Sequence, residues 1–71
     1  MTRLPRISGQ QLIKKLQEQG FGVVRAKGSH FLLKHPDGRT TVVPVHGKEI
    51  IGPGLLLKIL RDTDLDRSDL K

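Results

Sequence analysis

The sequence predicts an α+β fold in the order α-β-β-β-α, a three-stranded antiparallel sheet with both helices on one face. Three observations carry that expectation. A Ser8-Gly9-Gln10-Gln11 start signal opens an apolar run at helical spacing. Two tight-turn signals, Gly28-Ser29 and Pro36-Asp37-Gly38, separate three short β-rich runs. A proline-led, leucine-rich run then begins at Pro53.

Taken in order, residues 1–7 form an extended lead-in stiffened by Pro5. The Ser8 hydroxyl can accept from the Gln11 amide while the Gln11 side chain reaches back, and Ile7 can staple onto Leu12. Leu12, Ile13 and Leu16 fall on one side, with Lys14, Lys15 and Gln17 on the other, and Gly20 is placed to end the helix over residues 9–19. Phe21 to Ala26, rich in Val, reads as the first strand. Gly28 supplies the positive φ of a two-residue hairpin, and His30 to His35 makes the second strand. Pro36-Asp37-Gly38 fits a type I turn closed by a left-handed glycine, leading to a third strand over Thr40 to Val45. Pro44 cannot donate to a ladder, so it belongs at an edge or a strand end. After a loop at 46–52, Pro53 opens a second helix to about Arg61, with Leu56, Ile59 and Leu60 inward and Leu57 off that face.

Seventy-one residues allow one domain, residues 1–71, which buries only about 60% of the surface its unfolded chain exposes. With no cysteine, neither a disulfide nor a thiolate metal site can staple it, and a reducing cytoplasm is the natural setting. No run approaches the roughly 18 apolar residues of a membrane span, so no membrane association is expected. Thirteen Lys and Arg stand against seven Asp and Glu, a net charge of +6. Residues 1–61 hold eleven basic and three acidic side chains, whereas residues 62–71 hold two basic and four acidic. A small basic body attracts polyanions, RNA or DNA first, although the same charge also serves solubility. The acidic tail is compatible with local repulsion of RNA and with contact to the basic body.

The chemistry open to this chain is narrow. There is no Gly-x-Ser-x-Gly elbow, no phosphate-binding loop signature after Gly52-Pro53-Gly54, and no histidine pair spaced for zinc, so neither metal nor cofactor is expected. Three histidines remain, His30, His35 and His46. His30 follows the Gly28-Ser29 turn, with Arg25 and Lys27 just before it and Lys34 on the same strand face. An imidazole among cations meets the needs of RNA cleavage without metal: a base for the 2′-hydroxyl, an acid for the leaving oxygen, and positive charge on the phosphorane. Position alone favours a solvated histidine at a turn. His35 reads as a hairpin-loop residue, and His46 as a loop residue that is also a possible second acid or base.

At this point the chain resembles the HicA toxins, the ribonuclease half of HicA–HicB toxin–antitoxin pairs. The resemblance runs from about Pro5 to Leu65. It rests on Ser8-Gly9, Gly20-Phe21, Lys27-Gly28-Ser29-His30, His35-Pro36-Asp37-Gly38, Val43-Pro44-Val45-His46, Glu49-Ile50, Gly54 and Leu56-Leu57-Lys58-Ile59-Leu60 in that order. It implies a fold like the double-stranded RNA-binding domain, cleavage of mRNA, a HicB-type antitoxin partner, and a catalytic histidine at His30 with Gly28 and Ser29 shaping the site. Leu55 departs from the small hydroxyl residue usual there, Pro53 precedes it, and the tail after Leu65 resembles a shortened third helical segment.

Three functions compete on these grounds. An endoribonuclease toxin is favoured by Lys27-Gly28-Ser29-His30, with Arg25, Lys27, Gly28, Ser29 and Lys34 binding RNA. A non-catalytic RNA-binding module would read A-form shape and needs no imidazole at the turn. A protein-interaction domain would use its exposed leucines. The absence of Tyr and Trp argues against base stacking as the main mode of recognition. The free chain is expected to be a monomer.

Overall fold

The computed structural model describes residues 3–70. Helix α1 (Gly9–Glu18) leads to strands β1 (Gly22–Lys27), β2 (His30–Lys34) and β3 (Thr40–Pro44), then helix α2 (Pro53–Thr63) and a short 3₁₀ helix, Arg67–Leu70. The strands form an antiparallel sheet in the order β1-β2-β3. This is the predicted α-β-β-β-α order.

Local signals set the first helix. Ser8 Oγ accepts from the Gln11 amide at 3.3 Å, and Gln11 Oε1 accepts from the Ser8 amide at 3.0 Å. At the other end the Gly20 amide donates to the Gln17 carbonyl and the Phe21 amide to the Leu16 carbonyl, a Schellman closure. That closure spends Phe21 on the core, so β1 starts at Gly22 rather than Phe21. Gly9 has a second role at the helix start. A Cβ there would lie 2.2 Å from the Pro44 carbonyl oxygen, so only glycine lets α1 approach the end of β3 this closely.

The core gathers Leu12 and Leu16 of α1, Leu33 and Val43 of the sheet, and Leu56, Ile59 and Leu60 of α2. Ile7, Ile51 and Leu70 close it from the connecting segments. The lead-in is fixed there by an Ile51 amide to Ile7 carbonyl bond of 2.8 Å and a Ser8–Ile50 bridge. Helix α2 runs two residues beyond Arg61, because the Thr63 hydroxyl donates to the Ile59 carbonyl and the Arg39 guanidinium donates to the Thr63 carbonyl. Asp64 then adopts a left-handed conformation that ends it. The tail folds back: Leu70 is buried, and the Asp66 and Asp69 carboxylates accept from local groups of the 3₁₀ helix.

Both helices lie on the side of Leu33, Thr41 and Val43, all buried, while His30, Lys34, Thr40 and Val42 on the alternate positions are exposed. One sheet face is covered and the other is open.

Candidate functional site

Strand register arranges the open face in three rows. Lys27, His30 and Pro44 form the first, Arg25, Leu32 and Val42 the second, and Gly22, Lys34 and Thr40 the third. A β-bulge between Val23 and Arg25 makes the first two rows basic. Plain alternation would put residues 23, 25 and 27 on one face, and Val23 pairs with the buried Leu33. The extra residue, Val24, reverses the alternation and sends Arg25 and Lys27 outward.

The turn that presents His30 is equally specified. Gly28 has φ +58°, as a two-residue hairpin with glycine first requires. The Ser29 carbonyl accepts from the Val45 amide at 2.7 Å. That bond flanks the His30–Pro44 pair and marks it as a non-hydrogen-bonded position, so the missing Pro44 amide costs the ladder nothing.

His30, Arg25, Lys27 and Lys34 are all exposed, and among the described residues none of these four side chains has a hydrogen-bond or ion-pair partner. No carboxylate occupies any position of the three rows. Arg25, Lys27, His30, Leu32 and Val42 together line one shallow depression of 210 Å³. Lys34 shares the face but stands four residues along β2, about 13 Å away at the strand rise. It lines a separate hollow with Gly22, Val24 and His35.

The other histidines are placed differently. His46 is exposed in the loop after β3, only two residues past the strand partner of His30, but it borders a hollow with Glu49, Ile50 and Leu55 that His30 does not line. His35 is half-buried. Its Nδ1 accepts from the Asp37 amide at 3.1 Å, and its ring meets Phe21 edge-on with centroids 5.1 Å apart. It is a turn and packing residue. Leu32 and Val42, the apolar floor beside His30, were not singled out by sequence reasoning; their signal is two apolar side chains at positions where a one-sided sheet presents polar ones.

Among the described residues no group of three or more His, Cys, Asp or Glu side chains converges to hold a metal ion, and no helix is long and apolar enough to cross a membrane. Comparison with curated proteins finds no match. A family model described as HicA toxin of bacterial toxin-antitoxin matches residues 9–65, a span that takes in α1, the whole sheet and α2. The chain belongs to the HicA toxin family of bacterial toxin–antitoxin systems.

Proposed function

We propose that this toxin is an endoribonuclease that cleaves mRNA in the cytoplasm, with His30 as its catalytic residue, and that a HicB-type antitoxin neutralises it. The observation that carries the reading is an exposed imidazole at the head of β2, without a side-chain partner among the described residues, directly across from Lys27 and one row from Arg25. His30 takes the proton of a 2′-hydroxyl, the 2′-oxygen attacks the adjacent phosphorus, and the bond to the 5′-oxygen breaks. Arg25 and Lys27 stabilise the charge gathered on the phosphorane. A second group protonates the departing 5′-oxygen, and His46, at the same end of the sheet, is the candidate. Gly28 and Ser29 hold the turn, and Lys34 takes a phosphate farther along β2.

The products are a 5′-hydroxyl and a 2′,3′-cyclic phosphate, which can open to a 3′-phosphate. No metal ion enters this scheme. The test is to incubate the purified protein with single-stranded RNA in EDTA, beside the His30→Ala variant. Cleavage by the parent alone, with those end groups, supports the reading. Activity lost in EDTA and restored by magnesium overturns the metal-free route, and tight RNA binding without cleavage points to a non-catalytic RNA-binding module.

A further inference from the structure

We infer that the Leu32–Val42 pair on the open sheet face is a seat for an unstacked nucleobase, and that the RNA backbone runs along β1 beside it. The inference rests on the reading of the chain as an RNA-binding toxin and adds how the substrate lies.

A one-sided antiparallel sheet turns polar side chains to water. Leu32 and Val42 break that rule at its centre. They are direct cross-strand partners, Val42 is 44% exposed, and the helices cover neither from this side. The flanking chemistry says what covers them. Arg25 stands directly across from Leu32, and Lys27 follows two positions along β1. Neighbouring strands lie about 4.8 Å apart, and alternate residues along a strand about 6.7 Å apart. Two cations without partners among the described residues therefore line one border of the depression while its floor, one strand over, is aliphatic. A nucleotide has the same division, an anionic phosphate at one end and a flat, largely apolar face at the other.

Size agrees. The depression of 210 Å³ is of a size to hold a single planar ring. His30 closes the same depression, so a base seated on Leu32 and Val42 brings its own backbone to the imidazole. The floor has no aromatic ring, so base contact here is dispersion and burial rather than stacking, and it tolerates several bases.

The experiment compares two ligands that cannot be cleaved through the 2′-oxygen: a short 2′-O-methyl oligoadenylate, and a 2′-O-methyl ribose-phosphate chain of equal length without bases. Affinity is measured over a salt series for the parent, Val42→Ser and Val42→Leu. The parent should bind the base-bearing chain about fourfold to fifteenfold more tightly, the scale of burying one or two methylene equivalents. Val42→Ser should remove most of that difference while leaving the salt slope and the affinity for the abasic chain unchanged, and Val42→Leu should keep it. Val42 faces water, so its variants should melt with the parent, and Leu32→Ala serves as a second probe of the floor. Equal binding of both chains by the parent overturns the seat and leaves the RNA reading standing, as does a difference that survives both Val42→Ser and Leu32→Ala. Failure of the parent to bind either chain overturns the RNA reading and the seat with it. If Val42→Ser weakens only the antitoxin complex, the floor is a protein contact and the inference is wrong.

Discussion

The two hairpins that meet at strand β2 each carry a histidine, and the two are held in opposite ways. At the first, His30 is exposed, and among the described residues it and its cationic neighbours Arg25 and Lys27 have no side-chain partners. At the second, the turn residues His35, Asp37 and Arg39 engage one another, although Lys34 beside them has no partner among the described residues. Arg39 donates to Asp37 at 2.8 Å and to the Thr63 carbonyl, and lies over the Phe21 ring at 5.1 Å. His35 is wedged against Phe21 beside them, and Lys58 and Thr41 both donate to Asp62. One hairpin uses polar groups to tie the sheet to α2, and the other leaves them exposed, without partners among the described residues. The kind of residue is the same at both ends of the strand; its partners decide its role.

The sharpest way to break this comparison is to remove each histidine in turn. His30→Ala should lower RNA cleavage by roughly 10²- to 10⁴-fold, the worth of a positioned acid or base. Its melting temperature should stay close to the parent's, since an exposed side chain away from packing usually changes stability by less than about 0.5 kcal/mol. His35→Ala should do the reverse, keeping cleavage while losing the edge-on ring contact, worth about 1 kcal/mol. For a domain this small that is a drop of roughly 4–8 °C. Thermal melts and cleavage rates on both variants decide the matter. A His30→Ala protein that melts far below the parent would make both histidines structural.

A larger loss of stability is expected at the second hairpin from Arg39→Ala. The change leaves the Thr63 carbonyl at the end of α2 without its charged donor, and hydrogen bonds to charged groups are worth about 1.5–3 kcal/mol. Chemical denaturation should show that loss with little change in RNA affinity. If RNA affinity falls as much as stability, the division between the two hairpins is false.

Lys27→Gln and Lys58→Gln make the matched pair among the lysines. The first removes an unpartnered cation beside His30 and should reduce the salt slope of RNA binding by about one. The second removes a helix-surface lysine bound to Asp62 at 3.0 Å and should leave that slope unchanged. Equal effects would mean that RNA reads the net charge of the molecule rather than one face.

What was legible beforehand divides along the same line between local and distant causes. The capping box, the Gly28-Ser29 hairpin and the Pro36-Asp37-Gly38 loop are written within a few residues of sequence, and each is present. The inward face of α2 followed from Leu56, Ile59 and Leu60 for the same reason. Long-range pairings were not legible. Nothing within Val23-Val24-Arg25 marks a bulge, yet the bulge alone turns Arg25 and Lys27 to the open face. Ile51 and Leu70 enter the core only because the lead-in and the tail fold onto it. At the site, the sequence placed Lys34 on the face of His30, four residues along the strand, but not the side to which Arg25 and Lys27 turn. The acidic tail does make contact with the body, through Asp62 to Lys58 and Thr41 and through the buried Leu70, while Asp66 and Asp69 accept from local groups.

The smallest expected effect sharpens the comparison through pH. The Asp37 carboxyl is held below its ordinary pKa, chiefly because its Oδ1 accepts the Arg39 backbone amide at 3.0 Å, and further because the Arg39 side chain donates to Oδ2 and carries positive charge. A carboxyl depressed in the folded state binds its proton less readily there than in the unfolded chain. Its contribution is therefore complete above the unfolded pKa, near 4, and is lost as pH falls through the lower folded value. The Asp37 side chain is 48% exposed, so solvent screens the effect and the change should be slight. Asp37→Asn keeps an acceptor for the Arg39 amide but cannot titrate. Its melting temperature should fall less steeply than the parent's between pH 5 and pH 2, roughly the window of carboxylate protonation, while the two curves run parallel above it. The first hairpin has no carboxylate in the rows of its open face, so protonation of carboxylates should leave its local structure unchanged. Parallel curves through the acid range would show that the Asp37–Arg39 contact contributes nothing to the fold, and that the second hairpin is held by Arg39, Thr63 and the Phe21 ring without it.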